Sequence, residues 1–259
     1  VSSSDRGAAS GIRHARGMTT NALHAEPVAE RPRLLLVAHG TRSSTGRREL
    51  GRVLVETRKK LDGVDCRLAW VDVQAPGPDR ILADGAPTVV VPAFLARGFH
   101  VTEDVDGACG RAPGPGALAP HVGGEPEIVR ALVQRLAEAG AVGAFGPDAV
   151  VLGAAGSRDE SSQAETRALA SALERVLGVP VSAGVASAAT PTVADAITGF
   201  RERGHRRVAV ATHLLAPGFF ADRIAAAGAD VTSPPLGANP EIVDLIVRLY
   251  LENSTDLIR

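Results

Sequence analysis

Short apolar runs alternate along this chain with longer stretches in which apolar residues recur every three or four positions. The runs at 34–38, 66–73, 88–91 and 117–120 read as strands in the first half, and those at 149–152, 181–186, 207–211 and 230–233 in the second. The longer stretches read as helices. One follows Ser43 or Ser44, either of which can cap it, and carries Leu50, Leu54 and Leu61 on one face. Others are predicted near 78–84, 101–110 and 125–139, the last with Pro126 in its first turn. In the second half, helices are predicted at 161–177, 191–203, 222–227 and 240–252. The first of these turns Leu169, Leu173, Val176 and Leu177 inward and stops at Gly178. This alternation is that of an α/β protein, with parallel strands and helices on both faces of the sheet.

The halves also resemble each other. LLLVAHGTR at 34–42 is echoed by VVLGAAGSR at 150–158, and VVVPAFLARGFH at 89–100 by VAVATHLLAPGFF at 208–220. GGEPEIVRALVQRL at 123–136 is echoed by GANPEIVDLIVRLY at 237–250. Ala155 stands 116 residues after His39, Gly218 120 after Gly98, and Pro240 114 after Pro126. Offsets this long and this constant indicate a duplicated domain rather than a solenoid, whose repeats run to about 20–50 residues. The expected division is a first lobe at 31–142, a glycine-rich linker beginning at Gly140, and a second lobe at 147–254. Residues 1–30 are rich in Ser, Ala, Gly and Arg without a hydrophobic period, and are predicted to be a disordered tail. No apolar core of a signal peptide occurs there, and translation is expected to start at Met18, the only methionine.

Composition narrows the function. Apolar residues make up 45% of the chain, enough for a core in each half, whereas aromatics at 3% leave no base-stacking platform. A net charge of −1 argues against a nucleic-acid face, and no apolar run reaches the roughly 18 residues of a membrane span. Cys66 and Cys109 form neither CxxC nor zinc spacing, so a reduced, cytoplasmic protein is the simplest expectation. No phosphate-binding or dinucleotide glycine motif appears, so no nucleotide is expected to take part.

The candidate chemistry sits in the differences between the copies. His39 is replaced by Ala155 and His100 by Phe220, so only the first copy keeps its imidazoles. In open parallel sheets ligands bind beyond the carboxyl ends of the strands. His39 follows the first predicted strand and His100 lies after the third, so both belong to one sheet edge. Neutral imidazoles there suit a first-row divalent ion such as Fe²⁺ or Co²⁺. Glu103 and Asp104, about one helical turn past His100, can orient a ring or accept protons, although acids also favour a helix N-terminus for its own sake. His121 has Pro235 as its counterpart, and His213 ends a strand at the corresponding edge of the second half; both are candidates to line a ligand site. Arg42, Arg97 and the repeat-related Arg158 favour an anionic, carboxylate-bearing ligand. Gly98, retained as Gly218, fits a close ligand approach.

A strand ending in His39-Gly40-Thr41-Arg42, followed later by Pro92-Ala93-Phe94-Leu95-Ala96-Arg97-Gly98-Phe99-His100 and nearby acids, resembles the sirohydrochlorin chelatases. These are ATP-independent enzymes that insert Fe²⁺ or Co²⁺ into a tetrapyrrole. The resemblance spans about residues 33–253. It implies two flavodoxin-like lobes, each a four-stranded parallel sheet flanked by helices, with the macrocycle in the cleft between them. It implies that His39 and His100 bind the incoming metal and assist deprotonation of the ring; Glu103 joins them as a catalytic candidate through its spacing to His100, not through the resemblance. Fusion of two lobes implies a monomer. The chain departs from the pattern at Val105-Asp106, where an Ile-Pro-like ending is expected, and in having no histidine-rich metal tail. The leading expectation is therefore a sirohydrochlorin ferrochelatase of siroheme synthesis. Cobalt insertion for cobalamin is its rival. A non-catalytic tetrapyrrole or metal carrier, or a structural flavodoxin-like protein with no site, are the alternatives outside the class.

Overall fold

The computed structural model describes residues 31–97, 100–141 and 146–257, except for the side chains of residues 100–102 and 256. The expected tail at 1–30, the start at Met18, Gly98 and the centre of the linker lie outside them. In the first half the elements run β1 (Arg33–Ala38), α1 (Ser44–Lys60), β2 (Cys66–Trp70), α2 (Pro78–Leu82), β3 (Thr88–Pro92), a π-helical turn (His100–Val105), α3 (Asp106–Arg111), β4 (Gly116–Leu118) and α4 (Glu127–Glu138). The second half runs β5 (Ala149–Ala154), α5 (Glu160–Leu177), β6 (Val181–Val185), α6 (Val193–Glu202), β7 (Val208–His213), α7 (Phe219–Ala225), β8 (Val231–Thr232) and α8 (Pro240–Ser254). All strands are parallel, in two four-stranded sheets of order β2-β1-β3-β4 and β6-β5-β7-β8.

Helical crossovers cover both faces of each sheet, which is why the central strands read as unbroken apolar runs. Leu34, Leu35, Leu36 and Val37 in β1, and Val150, Val151 and Leu152 in β5, are fully buried. Each such side chain contributes on the order of 1.5–3 kcal/mol. The strands end where their partners do. β2 stops at Trp70 rather than running to Val73, because its register partner in β1 is exhausted at Ala38 and Val73 turns to φ +66°. The long helices begin at repeat-related caps: the side chain of Ser43 accepts from the Gly46 N–H, and that of Asp159 from the Ser162 N–H. Gly178, left-handed at φ +69°, closes α5 as expected. The expectation that Val176 faces inward is not met. It lies at the margin of the buried stripe through Ser162, Thr166, Ala170 and Leu173, and is 61% exposed.

One feature is absent from the strand–helix pattern. The closing helices of the two halves are exchanged: α4 packs on β7 beside α5, and α8 packs on β3 beside α1. One apolar core therefore runs between the sheets, joining Leu34, Val89 and Val91 to Leu152, Ala211 and Leu245. Ion pairs knit α4 to α8, Arg130 to Glu241 at 2.7 Å and Arg248 to Glu125 and Glu127 at 2.7 and 3.1 Å. Burial raises the Glu127 carboxyl, but the hydrogen bond from its own backbone N–H and the Arg248 guanidinium together hold it below its usual range. The Tyr250 hydroxyl, fully buried in α8, donates to the Pro32 carbonyl just before β1. The outer faces keep separate cores, under α2 and α3 in one half and under α6 and α7 in the other.

Candidate functional site

The chain leaves β1 on either side of the sheet, toward β2 and then back across to β3, so the crevice between β1 and β3 is the switch point where open sheets bind ligands. His39 stands at the end of β1, exposed, with its carbonyl accepting from the Asp72 N–H at 2.9 Å. Gly40 follows at φ +103°, and a Cβ there would lie 2.1 Å from the Asp72 carbonyl oxygen, so only glycine permits this turn. The second copy repeats it at Gly156, φ +99°, against the Ser187 carbonyl. The turn is secured by the Gln74 side chain, whose Oε1 accepts from the Thr41 N–H at 2.9 Å. Arg47 donates to the Arg42 carbonyl at 3.1 Å, leaving the Arg42 side chain exposed at the rim.

After β3 the chain runs through Arg97 to the π-helical turn that His100 opens. β3 ends at the same sheet edge as β1, Pro92 pairing with Val37 just before His39; the His100 side chain and Gly98 fall outside the described residues. Glu103 is exposed within the turn. A π turn closes i→i+5 and holds more residues than an α turn, so Glu103 no longer falls one turn beyond residue 100 as an α-helix would place it. Asp104, the next acid, is half-buried. His121, just past β4, is no loose surface residue. Its side chain is 13% exposed, and its Nε2 lies 3.2 Å from Glu165 Oε2 of the other half.

The second half meets this edge with its own carboxyl edge. A Cβ on Gly46 would come within 2.6 Å of the Pro217 carbonyl, and one on Gly218 within 3.3 Å of Ser43. The loop after β7 thus lies against the start of α1, beside the His39 turn. It delivers Phe219 and Phe220, 67% and 39% exposed, in an edge-to-face pair with Arg223 over Phe219 at 5.7 Å. Arg158 is exposed on the turn equivalent to that of Arg42. His213 departs from expectation. As the last residue of β7 it is 3% exposed, so its ring is enclosed rather than turned to the open edge, and its Nε2 has no hydrogen-bond partner. Burial lowers its pKa to about 4.

Four features escaped the sequence reading. Asp72 adds a carboxylate in the loop touching His39, with its Oδ1 accepting from the Val73 N–H at 2.7 Å. Glu165 accepts from the Arg97 N–H at 2.7 Å as well as meeting His121. Glu49 accepts from the Ala238 N–H at 2.9 Å. Phe219 and Phe220 form an exposed aromatic pair. Glu49 and Glu165 stand 116 residues apart, the same offset as His39 and Ala155, and that regularity was the available signal. Elsewhere, a cavity of about 240 Å³ beside β4 is lined by Leu82, Val90, Cys109 and Leu118. Burial pushes the Cys109 thiol up to about 11, and Cys66 is also raised by burial; both are free thiols. Among the described residues no group of three or more His, Cys, Asp or Glu is assembled as a metal cage, and no helix is long and apolar enough to cross a membrane.

A family model described as CbiX matches residues 33–139 and again 149–253. A solved structure of SirB from Bacillus subtilis with Fe3+ is similar at TM-score 0.71 and 20% identity, over 88% of this chain and 97% of that one. The sirohydrochlorin chelatase SirB from Bacillus subtilis subspecies spizizenii, in complex with cobalt, is similar at 0.67 and 17%, over 87% and 96%. CbiX, the terminal enzyme for biosynthesis of siroheme in denitrifying bacteria, is similar at 0.64 and 18%, over 85% and 98%. No curated protein matches the chain in sequence.

Proposed function

Because this chain belongs to the CbiX family, which matches both of its halves, we propose that it inserts a divalent metal ion into sirohydrochlorin. The reading puts Fe²⁺ first, giving siroheme, with Co²⁺ insertion for cobalamin as the alternative. The observation that supports it is that β1 runs into His39 beside the switch point of the first sheet, and that the chain leaving the neighbouring parallel strand β3 at that edge leads on to His100. Imidazoles grip a first-row ion and leave positions open for pyrrole nitrogens. Two pyrrole protons must depart, so a base is needed near the ring centre. In this reading the histidines share that task, with Glu103, Asp104 and Asp72 as the carboxylates nearest them in the chain's loops. Arg42, Arg97 and Arg158 offer bidentate partners to the peripheral carboxylates of the macrocycle. Phe219 and Phe220 offer an apolar face to its ring. His121 lies at the same edge through its tie to Glu165, whereas His213 serves the reading only as a buried neighbour.

The catalytic lobe is 31–142 and the partner lobe 147–254 in this reading, acting as a cytoplasmic monomer. Imidazole does not separate iron from cobalt, so the metal is decided by measuring insertion of Fe²⁺ and Co²⁺ side by side through the absorbance of the ring. His39→Ala and His100→Ala should each slow insertion by roughly a hundredfold or more. A wild-type protein that binds the ring yet never accelerates insertion would make the chain a carrier.

A further inference from the structure

We infer that Glu165 is a positioning residue for the loop that leads to His100, and that holding this loop is what the second half contributes in place of the imidazoles it lacks. The inference rests on the chelatase reading above. One oxygen, Glu165 Oε2, accepts from the Arg97 N–H at 2.7 Å and lies 3.2 Å from His121 Nε2. Arg97 comes three residues before His100, and His121 follows the neighbouring strand β4. A single carboxylate therefore ties two loops of the first sheet's carboxyl edge to the opposite half.

The acid stands on a firm base. α5 is capped by Asp159, its Thr166 hydroxyl donates to the Ser162 carbonyl at 2.9 Å, and Ala170 and Leu173 are buried in the shared core. Metal ligands drawn from separate loops need their geometry held to about 0.5 Å, which an unanchored exposed loop does not provide. Glu165 touches no reacting atom itself; it acts through the Arg97 backbone and His121. The duplication supports the assignment. The repeat-related Glu49 crosses the other way and accepts from the Ala238 N–H at 2.9 Å. Both copies keep the crossing acid, whereas only one keeps the histidines. Glu49 meets the loop after β8, not the counterpart of the Arg97 loop, where Pro217 has no N–H to give. That loop after β8 carries no imidazole, so Glu49 serves as a control for a crossing carboxylate as such.

The test is a titration of the full chain with Co²⁺ alone, followed by its visible absorption, with folding checked by circular dichroism. Glu165→Ala should weaken Co²⁺ binding by at least about tenfold. Glu165→Gln, whose amide oxygen can take the place of Oε2 and accept from both the Arg97 N–H and a His121 Nε2–H, should stay close to wild type. Glu49→Ala should leave the affinity within about twofold. A second pair removes the donor instead. Arg97→Pro deletes the N–H at a position where the other copy has Pro217, and should reproduce the loss; Arg97→Ala keeps the N–H and should not weaken Co²⁺ binding in the absence of the ring, although it removes a guanidinium proposed to bind the ring. Wild-type affinity in Glu165→Ala or, should that variant not fold, in Arg97→Pro overturns the inference. So does an equal loss in Glu49→Ala. If the wild type binds no Co²⁺, or His39→Ala binds it equally well, the chelatase reading itself fails, and the inference with it.

Discussion

At the scale of single residues, the chain uses its imidazoles in opposite ways. His39 is exposed on a turn that only Gly40 allows, and His213 is sealed at the end of a strand. Sealing has a consequence for stability. Burial depresses the folded-state pKa of His213 from 6.5 to about 4, so between these values the unfolded chain takes up a proton that the folded chain refuses. The stability tied to the neutral ring is fully present above about pH 6.5 and is lost as pH falls toward 4, by about 2 kcal/mol on going from pH 7.5 to 5. Urea melts of the wild type and of His213→Leu at these two pH values should show the wild type losing that much more than the variant. Parallel losses would mean that the ring titrates normally. The sequence alone put both histidines at strand ends, as the structure does. Side-chain direction at the last residue of a strand depends on what packs over it, and no local pattern reveals that.

At the scale of elements, strand order and helix position were legible because parallel strands and amphipathic helices impose distinct periods. The errors cluster at ends: β2 stops at Trp70 and α6 begins at Val193, where Thr192 and Asp195 form a reciprocal cap. α7 shows the limit most clearly. A helix at 222–227 was expected, but the element starts at Phe219, taking both phenylalanines into its first turn. Apolar residues in a helix's first turn ordinarily turn inward, and these do not. Their exposure beside the His39 turn is the cost that a flat apolar ligand would offset. The double substitution Phe219→Ala and Phe220→Ala should therefore raise KM for sirohydrochlorin about tenfold, an aromatic pair counting for roughly 1–2 kcal/mol. Binding of Co²⁺ without the ring should not change. Steady-state insertion kinetics check the first outcome and metal titration the second; an unchanged KM would remove the aromatic pair from the site.

For the whole molecule, the duplication predicted two similar sheets and says nothing about which sheet each closing helix covers. α4 has the same apolar stripe whether it folds back on β3 or reaches β7, and only tertiary packing decides. The exchange turns two sequence repeats into one folding unit. Leu132 and Leu136 of α4 and Leu245 and Leu249 of α8 are buried in a core that both sheets share, so neither sheet can lose its partner and keep its cover. This also fixes the functional geometry, because the loops meeting at the carboxyl edges are held by helices rooted in the opposite half. Duplicated domains with independent cores would melt separately. Here a single calorimetric transition is expected, with a van't Hoff enthalpy close to the calorimetric one despite a length at which cooperativity often breaks down. Cutting an α4–α8 tie should lower the whole transition without splitting it. Arg248→Met removes contacts to Glu125, Glu127 and Glu252 from a side chain about one-third exposed, and should cost roughly 1–2 kcal/mol. Two resolved transitions in the wild type, or a variant that melts one half alone, would show that the halves fold independently and that the exchanged helices do not couple them.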